Sequence, residues 1–342
     1  MDNEIIRICV VDTPYTLFLY FLKFGFNTEE DIFIFSEGIP KEIRNKINHI
    51  FYPHFIFPYD LNSSVFSKIK QFFINSFRQA YNIIKLRIIL FFKTRNKNVE
   101  VYGHAHLNYS FPLYEYENSY LIEDGLVNYG TLEYPHNFHP LCRRFINFFG
   151  FYTKGFYECF GTHDNIKKVY LTKKECPMII RDKFEYMDMN SLWAEKSSYE
   201  KNQILKFFNL DDLNEFLGLN AIFLITGPLS EGGLLSLDEE IKIYEDLIKN
   251  YDDEVIIIKP HPRERKNYRE IFPDKIVIES YFPFELIKFL DIGVKKILTI
   301  NSSVALNFAG ECDIEIYDKE TSSEVLNESI LDLKNQLNKI ID

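Results

Sequence analysis

EVIIIKPHPR, residues 254–263, decides how this chain is read. Residues 254–259 form an apolar strand. Two prolines then clamp a single histidine, His261. Proline fixes φ and restricts the residue before it, so the imidazole is presented on a stiff turn at the strand's end. Working outward, residues 221–226 read as an apolar strand, 227–236 as a loop and 237–250 as an acidic amphipathic helix. Downstream, 275–279 is a strand, 284–290 a helix and 296–300 a strand. Asn301-Ser302-Ser303 then opens a helix through Ala309, and 313–317 is a last strand. This β-loop-α repetition predicts an α/β, doubly wound sheet with ligands at the carboxyl ends of its strands.

The first half follows the same logic. Residues 5–11 read as a strand ending in Asp12-Thr13-Pro14, 15–25 as a helix stopped by a glycine, and 31–35 as a second strand. Residues 41–49 are polar and amphipathic. Residues 99–102 form a strand leading into Gly103-His104, and 120–122 one that runs into Glu123-Asp124-Gly125. Alternating strand and helix signals imply a mostly parallel sheet. A length of 342 residues suits two domains of about 150 residues each. They are expected over 1–195 and 216–342, with the connection in the polar, weakly periodic stretch 180–215.

Composition narrows the function classes. The net charge is -11 with 46% apolar residues, and the mean hydropathy is -0.17. The chain is therefore globular, and its uniform acidity argues against nucleic acid as a partner. The five cysteines, Cys9, Cys142, Cys159, Cys176 and Cys312, are scattered and never form CxxC. That argues against a disulfide framework or a structural zinc site and fits a reducing cytoplasm. The N-terminus is expected to carry no signal peptide, and no run of about 18 apolar residues exists. The 33 Phe and 22 Tyr residues fill cores, and some are candidates to pack on sugar rings.

Four short motifs can carry chemistry. Within Lys259-Pro260-His261-Pro262-Arg263, a rigid histidine can donate a hydrogen bond to a leaving phosphate or protonate it. Its bland alternative is a turn histidine capping a carbonyl. In Asn301-Ser302-Ser303, either serine can cap a helix whose free N–H groups would hold phosphate, or the motif is an ordinary cap. Glu123-Asp124-Gly125 offers two carboxylates at a strand end as a general base, or a solvated turn. Gly227-Pro228-Leu229-Ser230-Glu231-Gly232-Gly233 allows close backbone approach to a ligand and adds Glu231, or is a plain loop. No P-loop, no convincing GxGxxG after a strand and no DxD pair suited to Mg²⁺ is present. His104 and His106 lack further ligands at convincing spacing, so no metal and no cofactor are expected.

Residues 61–99 stand apart. They hold Lys68, Lys70, Arg78, Lys85, Arg87, Lys93, Arg95 and Lys97, many aromatic and aliphatic residues, and no Asp or Glu. The segment predicts a basic amphipathic helix or helix pair. It is either a core helix with a solvated basic face or a docking surface for an anionic membrane.

Taken together, IEDGLVNYG, LITGPLSEGG, IIIKPHPRE, VIES and TINSSVALN, in this order across residues 120–307, resemble glycosyltransferase family 52, the bacterial sialyltransferases of lipooligosaccharide and capsule. The resemblance implies a GT-B fold, two Rossmann-like domains facing a cleft. It implies inverting, metal-free transfer of sialic acid from CMP-sialic acid to a terminal galactose-type hydroxyl of a cell-surface glycan. By the same resemblance His261, Ser302 and Ser303 engage the leaving phosphate. Gly227, Pro228 and Glu279 fall where relatives contact the nucleotide, with Lys259, Pro262, Arg263 and Asn301 beside them. The base is Glu231 or one of Glu123 and Asp124, ranked equally. The alternatives are another GT-B transferase using glycerophosphate or a different nucleotide sugar, and a non-catalytic glycan-binding subunit. The expected location is the cytoplasm, with peripheral contact at the inner face of the membrane through 61–99. A homodimer is compatible with the sequence.

Overall fold

A computed structural model describes residues 5–53, 65–107, 109–129, 160–210, 216–251, 253–278, 281–290 and 292–341. The chain divides into two compact units, Met1–Phe207 and Phe208–Asp342.

The first unit is built on a seven-stranded sheet in the order β3-β2-β1-β4-β5-β6-β7. The strands are β1 (Ile5–Val10), β2 (Ile32–Phe35), β3 (His49–Phe51), β4 (Asn98–Gly103), β5 (Ser119–Ile122), β6 (Ile166–Leu171) and β7 (Phe184–Tyr186). All neighbours pair parallel. Strands covered on both faces must be apolar throughout, and Ile8, Val10, Ile34, Val101, Leu121, Val169 and Leu171 are accordingly buried in one core. The helix Pro14–Phe24 starts where Thr13 accepts a hydrogen bond from the Thr16 N–H, with proline in its first turn, and stops at Gly25. Gly103 adopts φ +125°, and a Cβ there would lie 1.9 Å from the Val10 carbonyl oxygen. Only glycine lets β4 leave the sheet so close to β1.

The second unit is a five-stranded sheet in the order β10-β9-β8-β11-β12, again all parallel. Its strands are β8 (Asn220–Ile225), β9 (Ile256–Lys259), β10 (Ile276–Val277), β11 (Gly293–Thr299) and β12 (Asp313–Ile316). The chain steps one way from β8 through β9 to β10, then returns to β11 on the other side of β8. That reversal is a topological switch point, where open α/β sheets bind ligands. In the first unit the corresponding reversal lies between β1 and β4.

Several expectations are revised. The helix expected to open at Asn301-Ser302-Ser303 is a six-residue 3-10 run, Ser303–Phe308, and 284–289 is also 3-10. Of the helix or helix pair expected over 61–99, the structure has the single helix, Val65–Thr94, of 30 residues. The stretch 180–207, taken as part of the connection, carries β7 and the helices Met189–Glu195 and Ser198–Phe207. The strands β3, β6 and β7 were not anticipated. No helix among the described residues is long and apolar enough to cross a membrane.

Candidate active site

In the second unit, three strand exits lie level. Ile225 of β8 pairs with Lys259 of β9 on one side and with Thr299 of β11 on the other. The loops that follow therefore leave one sheet edge side by side, within about 10 Å across the three strands. They carry Gly227 and Pro228, then His261, Pro262 and Arg263, then Asn301, Ser302 and Ser303. A Cβ placed on Gly227 would lie 3.5 Å from Asn301 Oδ1, so the loops after β8 and β11 touch at the switch point. Ser302 takes the cap position of the 3-10 run, but its side chain makes no capping hydrogen bond. Its backbone N–H instead donates to Thr299 Oγ1 at 3.0 Å. Ser303 is exposed, while Lys259 is buried with its ammonium 4.7 Å above the Phe282 ring. Glu279 lies outside the described residues.

His261 is held by its backbone and aimed by its ring. Its N–H donates to Glu264 Oε2 at 2.6 Å and to Thr226 Oγ1 at 3.3 Å. The Arg263 N–H donates to His261 Nδ1 at 3.1 Å. Nδ1 must therefore be unprotonated, which leaves the proton of the neutral ring on Nε2 as a donor. Burial, together with the charges of Arg263 and Lys259, brings this imidazole down to about 4. At neutral pH His261 is a neutral N–H donor rather than an imidazolium.

Lys266 braces the same edge. Its ammonium lies 2.8 Å from Glu231, 2.7 Å from Glu240 and 3.1 Å from Glu264. Burial lowers its pKa, but hydrogen bonds to Glu231 and Glu240 and the charge of Glu264 outweigh that and leave it raised. Glu240 also accepts from the Ser230 N–H, and Glu264 from Thr226, Tyr268 and His261. One cation thus ties the loop after β8 to the loop after β9. The three carboxylates could otherwise hold a metal ion, but their common centre is taken by the ammonium. Glu231 itself is pinned by Lys266 and by the Arg265 N–H at 2.9 Å. Burial raises it, these partners together outweigh that, and its pKa sits below the usual value. Losing Lys266 would strand buried negative charges. Lys266→Met is therefore expected to lower the unfolding free energy by about 3–5 kcal/mol, read by urea denaturation. A loss below ~1 kcal/mol would remove the bracing role.

The first unit gathers a different set at its own switch point. Glu123 and Asp124 leave β5, with β4 delivering His104 and His106 and the exit of β1 delivering Thr13. The two acids have opposite environments. Glu123 is buried and fully engaged. Tyr15 donates to it at 3.1 Å, the Thr172 N–H at 2.6 Å, the Thr172 hydroxyl at 2.8 Å, and Tyr129 joins them. Burial raises its pKa against the pull of these donors. Asp124 is partly open, with a side chain 17% exposed. One oxygen receives the Thr13 hydroxyl at 3.2 Å and lies 3.4 Å from His104 Nε2; the other lies 3.2 Å from His106 Nε2. Burial would raise Asp124, but His104, His106 and Thr13 outweigh it and hold the carboxyl below its usual range.

Hydrogen-bond accounting also fixes His104. The Thr16 hydroxyl gives its proton to the Glu123 carbonyl at 2.7 Å, so the 2.8 Å contact from His104 Nε2 to Thr16 Oγ1 must be donated by the ring. Burial takes His104 down to about 4. His104, His106 and Asp124 bring three potential ligand atoms within 4.8 Å of one another; as they stand, a ring proton occupies the His104 face of that set. Thr13, Thr16, Thr226, Glu264 and Lys266 were not singled out as site residues from the sequence, and His104 and His106 were weighed there only as metal ligands and set aside for want of a third, whereas the fold brings Asp124 beside them. The signal that could have found Thr13 and Thr226 is their position just past a strand end.

These two α/β units define a class. The fold matches a sialyltransferase of Photobacterium phosphoreum, described as an alpha/beta-galactoside alpha-2,3-sialyltransferase. The TM-score is 0.54 at 14% identity, covering 98% of this chain and 96% of that one. It also matches the GT-B domain of a sialyltransferase from Photobacterium damselae, with TM-score 0.55, 15% identity and 97% of each chain covered. The protein has the GT-B fold of glycosyltransferases. Residues 60–322 match glycosyltransferase family 52, and the chain belongs to that family. An uncharacterized protein of Haemophilus influenzae is 30% identical over 236 residues, 68% of this chain and 73% of that protein.

Proposed function

We propose that this glycosyltransferase is a sialyltransferase that moves sialic acid from CMP-sialic acid to a galactose-type hydroxyl of a cell-surface glycan, with inversion and without a metal. The observation that carries the reading is the second unit's switch point. There a neutral His261 has its Nε2–H directed away from a fully used Nδ1, beside the touching loops of Gly227 and Asn301. Family membership and the fold shared with bacterial sialyltransferases support it.

The chemistry follows from these groups. The acceptor oxygen attacks the anomeric carbon and the bond from that carbon to the phosphate oxygen breaks. Negative charge builds on the departing CMP, and a fixed N–H donor with neighbouring hydroxyls stabilises it without reorganising. The arriving phosphate also raises the affinity of His261 for a second proton, so the ring can pass from donor to acid as charge develops. The acceptor's proton goes to a carboxylate. Asp124, whose side chain is 17% exposed, suits this role better than Glu123, which is buried with three donors on Oε2 and one on Oε1, or Glu231, which is salt-bridged to Lys266. Of the three carboxylates considered, Asp124 is the base in this reading.

The test is direct. In EDTA, CMP-sialic acid and a galactose-ended oligosaccharide are expected to give sialylated product, and CMP to raise the Tm. Turnover of UDP-sugars or CDP-glycerol in place of CMP-sialic acid would sink the donor assignment.

A further inference from the structure

The chain leaving β4 and β5 brings two imidazoles onto one carboxylate. The rings of His104 and His106 lie side by side, with centroids 5.2 Å apart and planes inclined by 32°. Each turns Nε2 toward Asp124, at 3.4 Å from Oδ1 for His104 and 3.2 Å from Oδ2 for His106. A tetrahedral zinc ion, with bonds of about 2.0–2.1 Å, holds its ligand atoms about 3.3–3.4 Å apart. The spacing here is that of a ligand set as much as of hydrogen bonds. The side chains of His106 and Asp124 are 28% and 17% exposed, so a hydrated ion can enter from solvent and keep water as a further ligand.

We infer that His104, His106 and Asp124 form a binding site for zinc, and that zinc held there inhibits the transferase by occupying its base. Two imidazoles and one carboxylate suit a borderline cation such as Zn²⁺, whereas Mg²⁺ and Ca²⁺ take oxygen ligands. The ring proton of His104 is no obstacle. Nε2 now donates it to Thr16 Oγ1 at 2.8 Å. Among the described residues Nδ1 is buried with no hydrogen-bond partner, so it is free to take the proton while Nε2 gives its lone pair to the metal. The ring stays neutral, and one hydrogen bond is exchanged for a metal bond. The carboxylates of Glu231, Glu240 and Glu264 offer no equal site, because the Lys266 ammonium already sits among them. Zinc on Asp124 engages the lone pairs that would receive the acceptor's proton. The inhibition rests on Asp124 being the base of the proposed transfer; the binding does not. The transfer itself needs no metal.

The experiment reads binding and turnover separately on the full chain. Co²⁺ is expected to give the visible absorption of a tetrahedral nitrogen and oxygen site, and Zn²⁺ but not Mg²⁺ to displace it. His106→Ala, and His106→Gln, which keeps a donor for Asp124, should each weaken zinc by about 100-fold or more, while Glu231→Gln binds zinc as the wild type does. The Tm of each variant separates loss of a ligand from loss of the fold. In the wild type, saturating zinc should lower turnover of CMP-sialic acid by about 10²-fold or more, and excess EDTA should restore it, with the Kd for CMP unmoved. The His106 variants should lose this zinc sensitivity, whatever their own rates. Three results would overturn the inference: no tetrahedral cobalt spectrum, an unchanged zinc affinity in the His106 variants, which would place the ion elsewhere, or a zinc-bound enzyme whose turnover is unchanged or faster. A chain that binds zinc through these residues yet transfers no sialic acid would keep the site and overturn the proposed function instead.

Discussion

His261→Ala lowers kcat by about 10²–10³ while the Kd for CMP rises only modestly, because the ring's N–H is worth most when charge develops on the leaving phosphate. His261→Asn, which keeps a neutral donor near the same position, should recover part of the loss. The pH profile carries the sharper reading. With a folded-state pKa near 4, against about 6.5 in the unfolded chain, the free enzyme holds His261 neutral from pH 7 to 5. No limb from this ring should appear in kcat/KM across that window. The linkage has a definite sign: the unfolded chain binds a proton that the folded ring refuses, so stability falls as pH drops from about 6.5 toward 4. Wild-type turnover in His261→Ala, or a His261-dependent limb near pH 6.5, would contradict the assigned state.

Asp124→Asn is expected to lower kcat by about 10²–10⁴, the usual worth of a positioned base, with Tm changed by only a few degrees. Glu123→Gln should show the reverse split. Its carboxylate is the common acceptor for Tyr15, Tyr129 and Thr172, and an amide turns one acceptor into a donor facing donors. That leaves buried groups unsatisfied, at a cost of about 1–3 kcal/mol. Urea denaturation and initial rates on the two variants separate the roles. A Glu123→Gln enzyme of normal stability and abolished turnover would transfer the base assignment to Glu123.

The contrast between these two neighbours shows where sequence reading stops. EDG at the end of an apolar strand marks two carboxylates at an exit, but not which of them turns inward. That choice depends on Tyr15, Tyr129 and Thr172, each reaching Glu123 from a different element. Likewise, KPHPR announces a stiff histidine after a strand, whereas the tautomer depends on the Arg263 N–H, which only the turn geometry reveals. Glu231 looked as able a base as any because Lys266 lies 35 residues away. The parallel sheet of the second unit was legible because IIIK, FLI and ILT are apolar runs ending in recognisable loops. In the first unit β3 and β7 were not, since His49-Ile50-Phe51 and Phe184-Glu185-Tyr186 are three-residue strands too short for any period to show. The serine motif was read as a helix start because Ser302 resembles a cap, and the chain instead winds as 3-10 for six residues.

The strand order of the second unit constrains how it can be made. β8 is the central strand, and it bonds to β11 across 74 residues. Closing a contact that remote is slow, because the chain entropy is spent before the pairing is rewarded. During synthesis the β8–β9 pair emerges with one apolar edge uncovered until β11 follows it. That interval is when the nascent chain is most open to off-pathway association and most in need of a chaperone.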